Sequence, residues 1–431
     1  MPRSLVVKDD ATASTTSTAA GTPARSAFAA TSLLAVIVCW LLVVFDGYDL
    51  IVYGTVQSSL IDTTGWGLTK ATAGTIGSLA FLGMMIGAIF AGRMADSWGR
   101  RRTIIGCAIV FSVFTILCAF SPNAIVFGAL RLFAGIGLGG LVPSANALAA
   151  ELVPLRWRAT VATLMMSGVP IGGTTAALIG IPLIPAFGWP AMFLVAAAAL
   201  VVVVPLALRF LPETMSVNRG EVHRTERAGF GTLLRAPYFG ASILFAVATL
   251  ATLFAWYGLG TWLPNLMQLA GYDLGSALTF ALALNLGAVA GSIITAWAGD
   301  RFGPARTAIV AALVAGAALA TITTGPPIYV VYLLLVLAGV GTHGTQCLII
   351  AAVANHYPSH LRGTALGWAL GIGRIGAVAA PQVGGLLLAA GLGVNSNFLA
   401  FAGAALLASV VLFVISGRVR ATTSIQAGAH K

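Results

Sequence analysis

The sequence predicts an all-α integral membrane protein with twelve transmembrane helices in two pseudo-symmetric six-helix bundles, and three observations carry that prediction. The chain is 58% hydrophobic and only 8% charged, whereas soluble domains carry about 25% charged residues. A bilayer-crossing helix needs about 20 mostly apolar residues, and with its loop uses about 30–35. The 431 residues therefore hold roughly a dozen spans. Finally, two basic loops recur at one fixed offset, which implies a duplicated half. This composition excludes a soluble enzyme, a nucleic-acid binder and a secreted disulfide scaffold.

Apolar blocks between charged or Pro/Gly-rich breaks predict helices over 28–53, 72–92, 103–121, 124–149, 160–184, 190–208, 238–264, 275–297, 305–324, 327–354, 363–390 and 395–416. Residues 1–27 are rich in Ser, Thr and Ala without periodicity and read as a disordered tail. The first apolar block is too long for a cleaved signal peptide, and no small-residue cleavage site follows it. The longest non-spanning stretch, 209–237, is a central loop dividing an N-terminal bundle (28–208) from a C-terminal bundle (238–416); 417–431 is a second tail. Cys39, Cys107, Cys118 and Cys347 lie inside apolar stretches without metal-ligand spacing and read as buried thiols.

The excess of 23 basic over 12 acidic residues follows the loops. With the N-terminus inside, the two tails and the even-to-odd loops with their flanking helix ends collect 20 of the 23 Lys and Arg. The outer loops hold only Lys70, and Arg131 and Arg374 lie within spans. Such a bias places both termini on the cytoplasmic side of the cytoplasmic (bacterial inner) membrane. The net charge of +11 then faces anionic lipid, and no nucleic-acid partner is expected.

Between helices 2 and 3 stands Gly92-Arg-Met-Ala-Asp96-Ser-Trp-Gly99-Arg100-Arg101-Arg102-Thr103, and between helices 8 and 9 Asp300-Arg-Phe-Gly303-Pro-Ala-Arg306-Thr307. Asp96, Gly99, Arg102 and Thr103 map onto Asp300, Gly303, Arg306 and Thr307 at an offset of 204 residues. The same offset carries Pro154, Arg158 and Thr160 onto Pro358, Arg362 and Thr364. The element Gly92-x-x-x-Asp96-x-x-Gly99-Arg100-Arg101 resembles the loop signature of the major facilitator superfamily, the later loop being its degraded partner. That resemblance implies two bundles around a central cavity that opens alternately to each side.

A carboxylate favours the positive end of a helix dipole and an arginine the negative end. Asp96 is thus expected to latch helix 11 near Gly363-Thr364, and Asp300 to latch helix 5 near Thr160, holding the cytoplasmic side shut. Glu151 joins this gate through Arg158 or the Arg100–Arg102 run. The rival reading is that these charges only set topology and turn geometry.

The ionisable residues within the spans are Asp46, Asp49, Arg131, His343 and Arg374. A charge at this depth costs at least about 2.5–3.5 kcal/mol, so each is a functional candidate. Under the 204-residue offset Asp46, Asp49 and Arg131 map to Leu250, Leu253 and Leu335, and Arg374 maps back to Pro170. The loops are duplicated; the membrane charges are not.

Asp46 and Arg131 are each expected about 10 Å below the outer surface, at about 1.5 Å per residue, and within pairing reach. Asp46 and Asp49 share a helix face, and two neighbouring carboxylates do not both ionise readily. Either is then the reversible proton carrier, with Arg131 the partner that tunes the pair. Arg374, near mid-bilayer, is the leading clamp for an anion, since an arginine holds a carboxylate bidentately. The rival reading makes all four charges structural. His343 reads equally as a helix-packing donor or a substrate contact; Gln346, Asn146 and Asn285 share that ambiguity.

Phe45-Asp46-Gly47-Tyr48-Asp49-Leu50 resembles the helix 1 signature of the aromatic acid:proton symporter family. So do Arg131-Leu-Phe-Ala-Gly135-Ile-Gly137-Leu-Gly139 and Gly367-Trp368-Ala-Leu-Gly371-Ile-Gly373-Arg374. The resemblance implies proton-coupled uptake of aromatic carboxylates such as benzoate or hydroxybenzoates, with Asp46, Asp49, Arg131 and Glu151 as functional positions. No cofactor beyond the coupling protons is implied, the protein is expected not to be an enzyme, and a single chain suffices for the work. Tyr48, Tyr53, Trp256 and Tyr257 suit such a ligand by stacking and hydrogen bonding. The alternatives are another organic acid, shikimate-like, or proton-coupled export of a drug.

Overall fold

The computed structural model describes residues 23–213 and 230–428; the expected tail over 1–22 and most of the central loop lie outside the described residues. Twelve helices are long and apolar enough to cross a membrane. In the first bundle they are α1 (Pro23–Thr63), α2 (Lys70–Trp98), α3 (Arg100–Cys118), α4 (Ala124–Glu151), α5 (Arg158–Phe187) and α6 (Pro190–Phe210). In the second they are α7 (Phe239–Leu269), α8 (Leu274–Phe302), α9 (Pro304–Ile322), α10 (Ile328–His356), α11 (Ser359–Ala389) and α12 (Gly393–Gly428). Every backbone polar group inside a bilayer must be satisfied within the chain, which is why each of the twelve apolar spans is helical.

The helix ends differ from the sequence expectation in one way that matters for the site. Helix 1 is expected to end at residue 53, yet α1 continues to Thr63. Gly54 lets α1 pack directly on the backbone of Gly260 and Thr261 in α7. Ser58 then accepts a hydrogen bond from Asn265 Nδ2 at 2.8 Å, so these polar residues are buried in a helix contact and not spent in a loop. Helix also occupies 23–27 and 417–428, stretches expected as tails. Neither extension contains a proline after its first turn, and propagating an existing helix costs little.

Within each bundle, glycines let helices meet backbone to backbone. Gly83 of α2 lies against Leu132 and Gly135 of α4, and Gly135 against Ala80. In the second bundle Gly287 of α8 lies against Val336 of α10, and Gly339 against Leu284. A Cβ at any of these four would overlap a neighbouring carbonyl oxygen. All four glycines and their partners are related by the 204-residue offset found in the loops. The duplication therefore runs through the membrane interior.

Candidate functional site

Asp49 and Arg131 form a buried ion pair, Nη1 to Oδ2 at 2.8 Å, with each side chain 1% exposed. Thr115 of α3 donates to the other carboxylate oxygen at 2.6 Å, and Arg131 Nη2 donates to the Asp49 carbonyl at 3.1 Å. Both oxygens of Asp49 are thus occupied. The 204-related positions of this trio are Leu253, Leu335 and Leu319, all buried in the core of the second bundle. One bundle fills with leucine the place that the other gives to charge. Packing alone does not require the ions.

Asp46, one turn earlier, is as buried but is not the partner of Arg131; its Oδ1 has no hydrogen-bond partner. Because α1 runs on to Thr63, Asp46 lies about 25 Å from that helix end and near the middle of the span, deeper than the short helix implied. The charges acting on it are Arg374 and Asp49. Arg374 sits at the middle of α11, half-buried, and its Nη1 meets the Met84 sulfur of α2 at 3.5 Å. It forms no ion pair among the described residues. Tyr257 of α7 lies in the field of both Arg374 and Asp46, and its ring is 4.6 Å from that of Phe81. An unpaired carboxylate, an unpaired guanidinium and two aromatic rings therefore meet at mid-depth between the bundles. Phe81, Met84 and Thr115 had no distinguishing signal in an apolar sequence.

The other candidates have the following partners. The Tyr48 and Tyr53 hydroxyls already donate to the carbonyls of Met192 and Ala73 at 2.7 and 2.6 Å, which leaves neither proton for a ligand. Tyr53 packs against Phe127 in the core of the first bundle. Trp256 lies 5.2 Å from His343, whose Nε2 meets the Met166 carbonyl of α5 at 3.2 Å. Asn285 donates to Ala281 at 2.9 Å, while its Oδ1 faces Gly173 without a partner. Gln346 Oε1 is also buried and unpartnered.

At the arginine-rich end, Glu151 pairs with Arg100 at 2.7 Å and not with Arg158. Arg101 donates to the Leu208 carbonyl, tying the loop to α6. Arg362 caps the end of α10 through the Tyr357 carbonyl at 3.0 Å. Asp300 is exposed and forms no ion pair among the described residues; part of the α5 start that it is expected to latch lies outside the described residues. Arg158 and Arg306 are exposed. Gly92 lies within α2, and the side chain of Asp96 lies outside the described residues, and with it the Asp96 latch; Gly99 forms the turn into α3 at φ +91°.

The two ends of the α2–α11 contact differ. One face of α11 meets α2 at the end opposite the arginines, where Thr75 donates to Gln382 at 2.7 Å and Ser78 to the Val378 carbonyl at 2.6 Å. Farther along that face Gly363, Gly367 and Gly371 are exposed, with no atom within 4 Å of a built Cβ. The bundles are joined at one end and apart at the arginine end.

Two helical bundles that enclose paired charges at mid-membrane define a transporter of the two-bundle type. The chain belongs to the Major Facilitator Superfamily, whose model matches residues 26–381 and, in a second overlapping match, 275–431. That is a family of transporters and not of enzymes. The chain is 59% identical over 389 residues to the gentisate transporter of Corynebacterium glutamicum, covering 89% of this chain and 87% of that protein. It is 33% identical to the benzoate transport protein of Acinetobacter baylyi, covering 89% of each. Among solved structures it resembles a D-xylose–proton symporter with a TM-score of 0.75 at 16% identity, covering 88% of this chain and 97% of that one.

Proposed function

We propose that this protein imports aromatic carboxylates, gentisate or a close hydroxybenzoate, together with protons by alternating access. The carrying observation is the pair of opposite charges at mid-depth, Asp46 with a carboxylate oxygen that has no hydrogen-bond partner and Arg374 with no ion-pair partner among the described residues. A bidentate arginine suits a planar carboxylate, and the Phe81 and Tyr257 rings suit an aromatic body. The gentisate and benzoate relatives support the same substrate class.

The division of labour between the aspartates follows from their surroundings. Asp49 is paired with Arg131 and accepts a hydrogen bond from Thr115, and it positions α1. Asp46 has no such partners and carries the proton. In this scheme an incoming carboxylate displaces Asp46 as the counter-charge of Arg374, and Asp46 takes a proton to avoid a stranded charge. The cavity then closes without net charge at its centre, which lowers the cost of moving it through an apolar environment. One proton with one monoanion moves no net charge, so accumulation follows the pH difference, about tenfold per unit. The basic end is cytoplasmic by its arginines, which makes this conformation open to the cytoplasm, and one chain supplies the whole site.

The test is uptake of labelled gentisate into proteoliposomes under an imposed pH gradient, with benzoate, 4-hydroxybenzoate and shikimate as competitors. Uptake should rise as the outer side is acidified, and the aromatic acids should compete. Uptake indifferent to the gradient sinks proton coupling; competition by shikimate alone sinks the aromatic reading.

A further inference from the structure

We infer that His343 is a positioning residue that ties α10 to α5 across the bundle interface, made possible by Pro170 leaving the Met166 carbonyl without its helical donor. In an α-helix the carbonyl of residue 166 accepts from the N–H of residue 170. Residue 170 is proline, inside α5, and has no N–H to give. Met166 therefore presents an unspent acceptor in a buried stretch of helix, where an unmade hydrogen bond is costly. His343 Nε2 lies 3.2 Å from that oxygen. A carbonyl only accepts, so the ring donates from Nε2. The Trp256 ring, 5.2 Å away, holds the imidazole from the α7 side.

Apart from the mid-depth contact of Arg374 with Met84, this bond differs in place from the other links between the bundles. Those of Ser58, Thr75 and Ser78 lie at the closed end. The His343 bond lies at mid-depth, between α5 and α10, beside the opening. His343 is 3% exposed, so it is no surface group that water serves equally well. Bundles that rock past one another cannot keep this geometry on both strokes. The tie therefore stabilises the conformation seen here against the one that opens at the opposite end. The inference rests on the alternating-access reading above but not on the identity of the substrate.

The test uses spin-label distances across the arginine end, from Ser97→Cys to His360→Cys, both exposed positions. The four native cysteines are replaced by alanine, and the full chain is reconstituted in lipid without substrate. His343→Ala should lower the ratio of open to closed distances by about three- to tenfold, the range of one net hydrogen bond. His343→Gln keeps a donor and should restore much of the ratio. Pro170→Ala gives Met166 an N–H inside its own helix and should shift the ratio in the same direction as His343→Ala. The double variant should shift no further than either single one. A ratio that ignores His343→Ala, or additive effects of His343→Ala and Pro170→Ala, overturns the tie. A native chain with one distance that no condition moves sinks alternating access and the tie together. Normal distances with no gentisate uptake would sink only the substrate.

Discussion

At the residue scale, two aspartates three positions apart have opposite surroundings, and that difference assigns their roles. Asp49 has every oxygen occupied, while Asp46 keeps an orphaned one beside Arg374. Asp46→Asn, isosteric but unable to exchange a proton, should abolish gradient-driven accumulation. It should still support exchange of labelled for unlabelled substrate, measured by counterflow; loss of both would make Asp46 a binding group. Arg374→Lys keeps charge but loses the planar fork, and its KM should rise at least about tenfold in uptake kinetics. Asp46 and Arg374 were legible in the sequence because a charge in an apolar run is costly. Met84 and Phe81 were not, because an apolar side chain in an apolar helix carries no mark of which way it faces. Tyr48 and Tyr53 make a related point: their hydroxyls donate to whichever carbonyl the fold brings close, which no local pattern states.

At the scale of elements, the second bundle is an internal control for the first. Leu253, Leu319 and Leu335 occupy the places of Asp49, Thr115 and Arg131 and are buried without difficulty. Replacing a buried ion pair by apolar residues of similar volume is often neutral or stabilising, whereas removing one partner costs about 3–5 kcal/mol. The triple variant Asp49→Leu, Thr115→Leu, Arg131→Leu should therefore fold with an unchanged or raised melting temperature and no transport. Asp49→Ala alone should melt well below the native protein. A triple variant that fails to fold would mean that the ions hold the bundle together. Gly83 and Gly287 extend the comparison: alanine at either should destabilise its own bundle, seen as a lowered melting temperature. The glycine repeat at 204 residues was present in the sequence beside the loop repeat. Only the packing shows that the same pairs of helices use it, since a glycine in an apolar run serves a turn, a kink or a contact alike.

At the scale of the molecule, the chain is a wedge closed at one end, and α11 records the difference along one face. Gly367 faces open space in this conformation, so Gly367→Trp should fold and bind substrate normally. In the closed conformation the same face has to approach α2, and the indole would stand in the way. Binding by isothermal titration with uptake lost is the expected pair of results; normal uptake would mean that α11 does not close there. Asp300 belongs to the same comparison: its carboxylate forms no ion pair among the described residues. The sequence by itself determined the membrane class, the twelve spans, the two-fold repeat and the charges inside the bilayer. Those rest on transfer free energy and period, which are local along the chain. Which aspartate is paired, which rings line the gap, how far α1 runs and which end stands open were decided by tertiary structure. A hydrogen bond is made with whatever the fold brings within about 3 Å, and no local pattern states that distance.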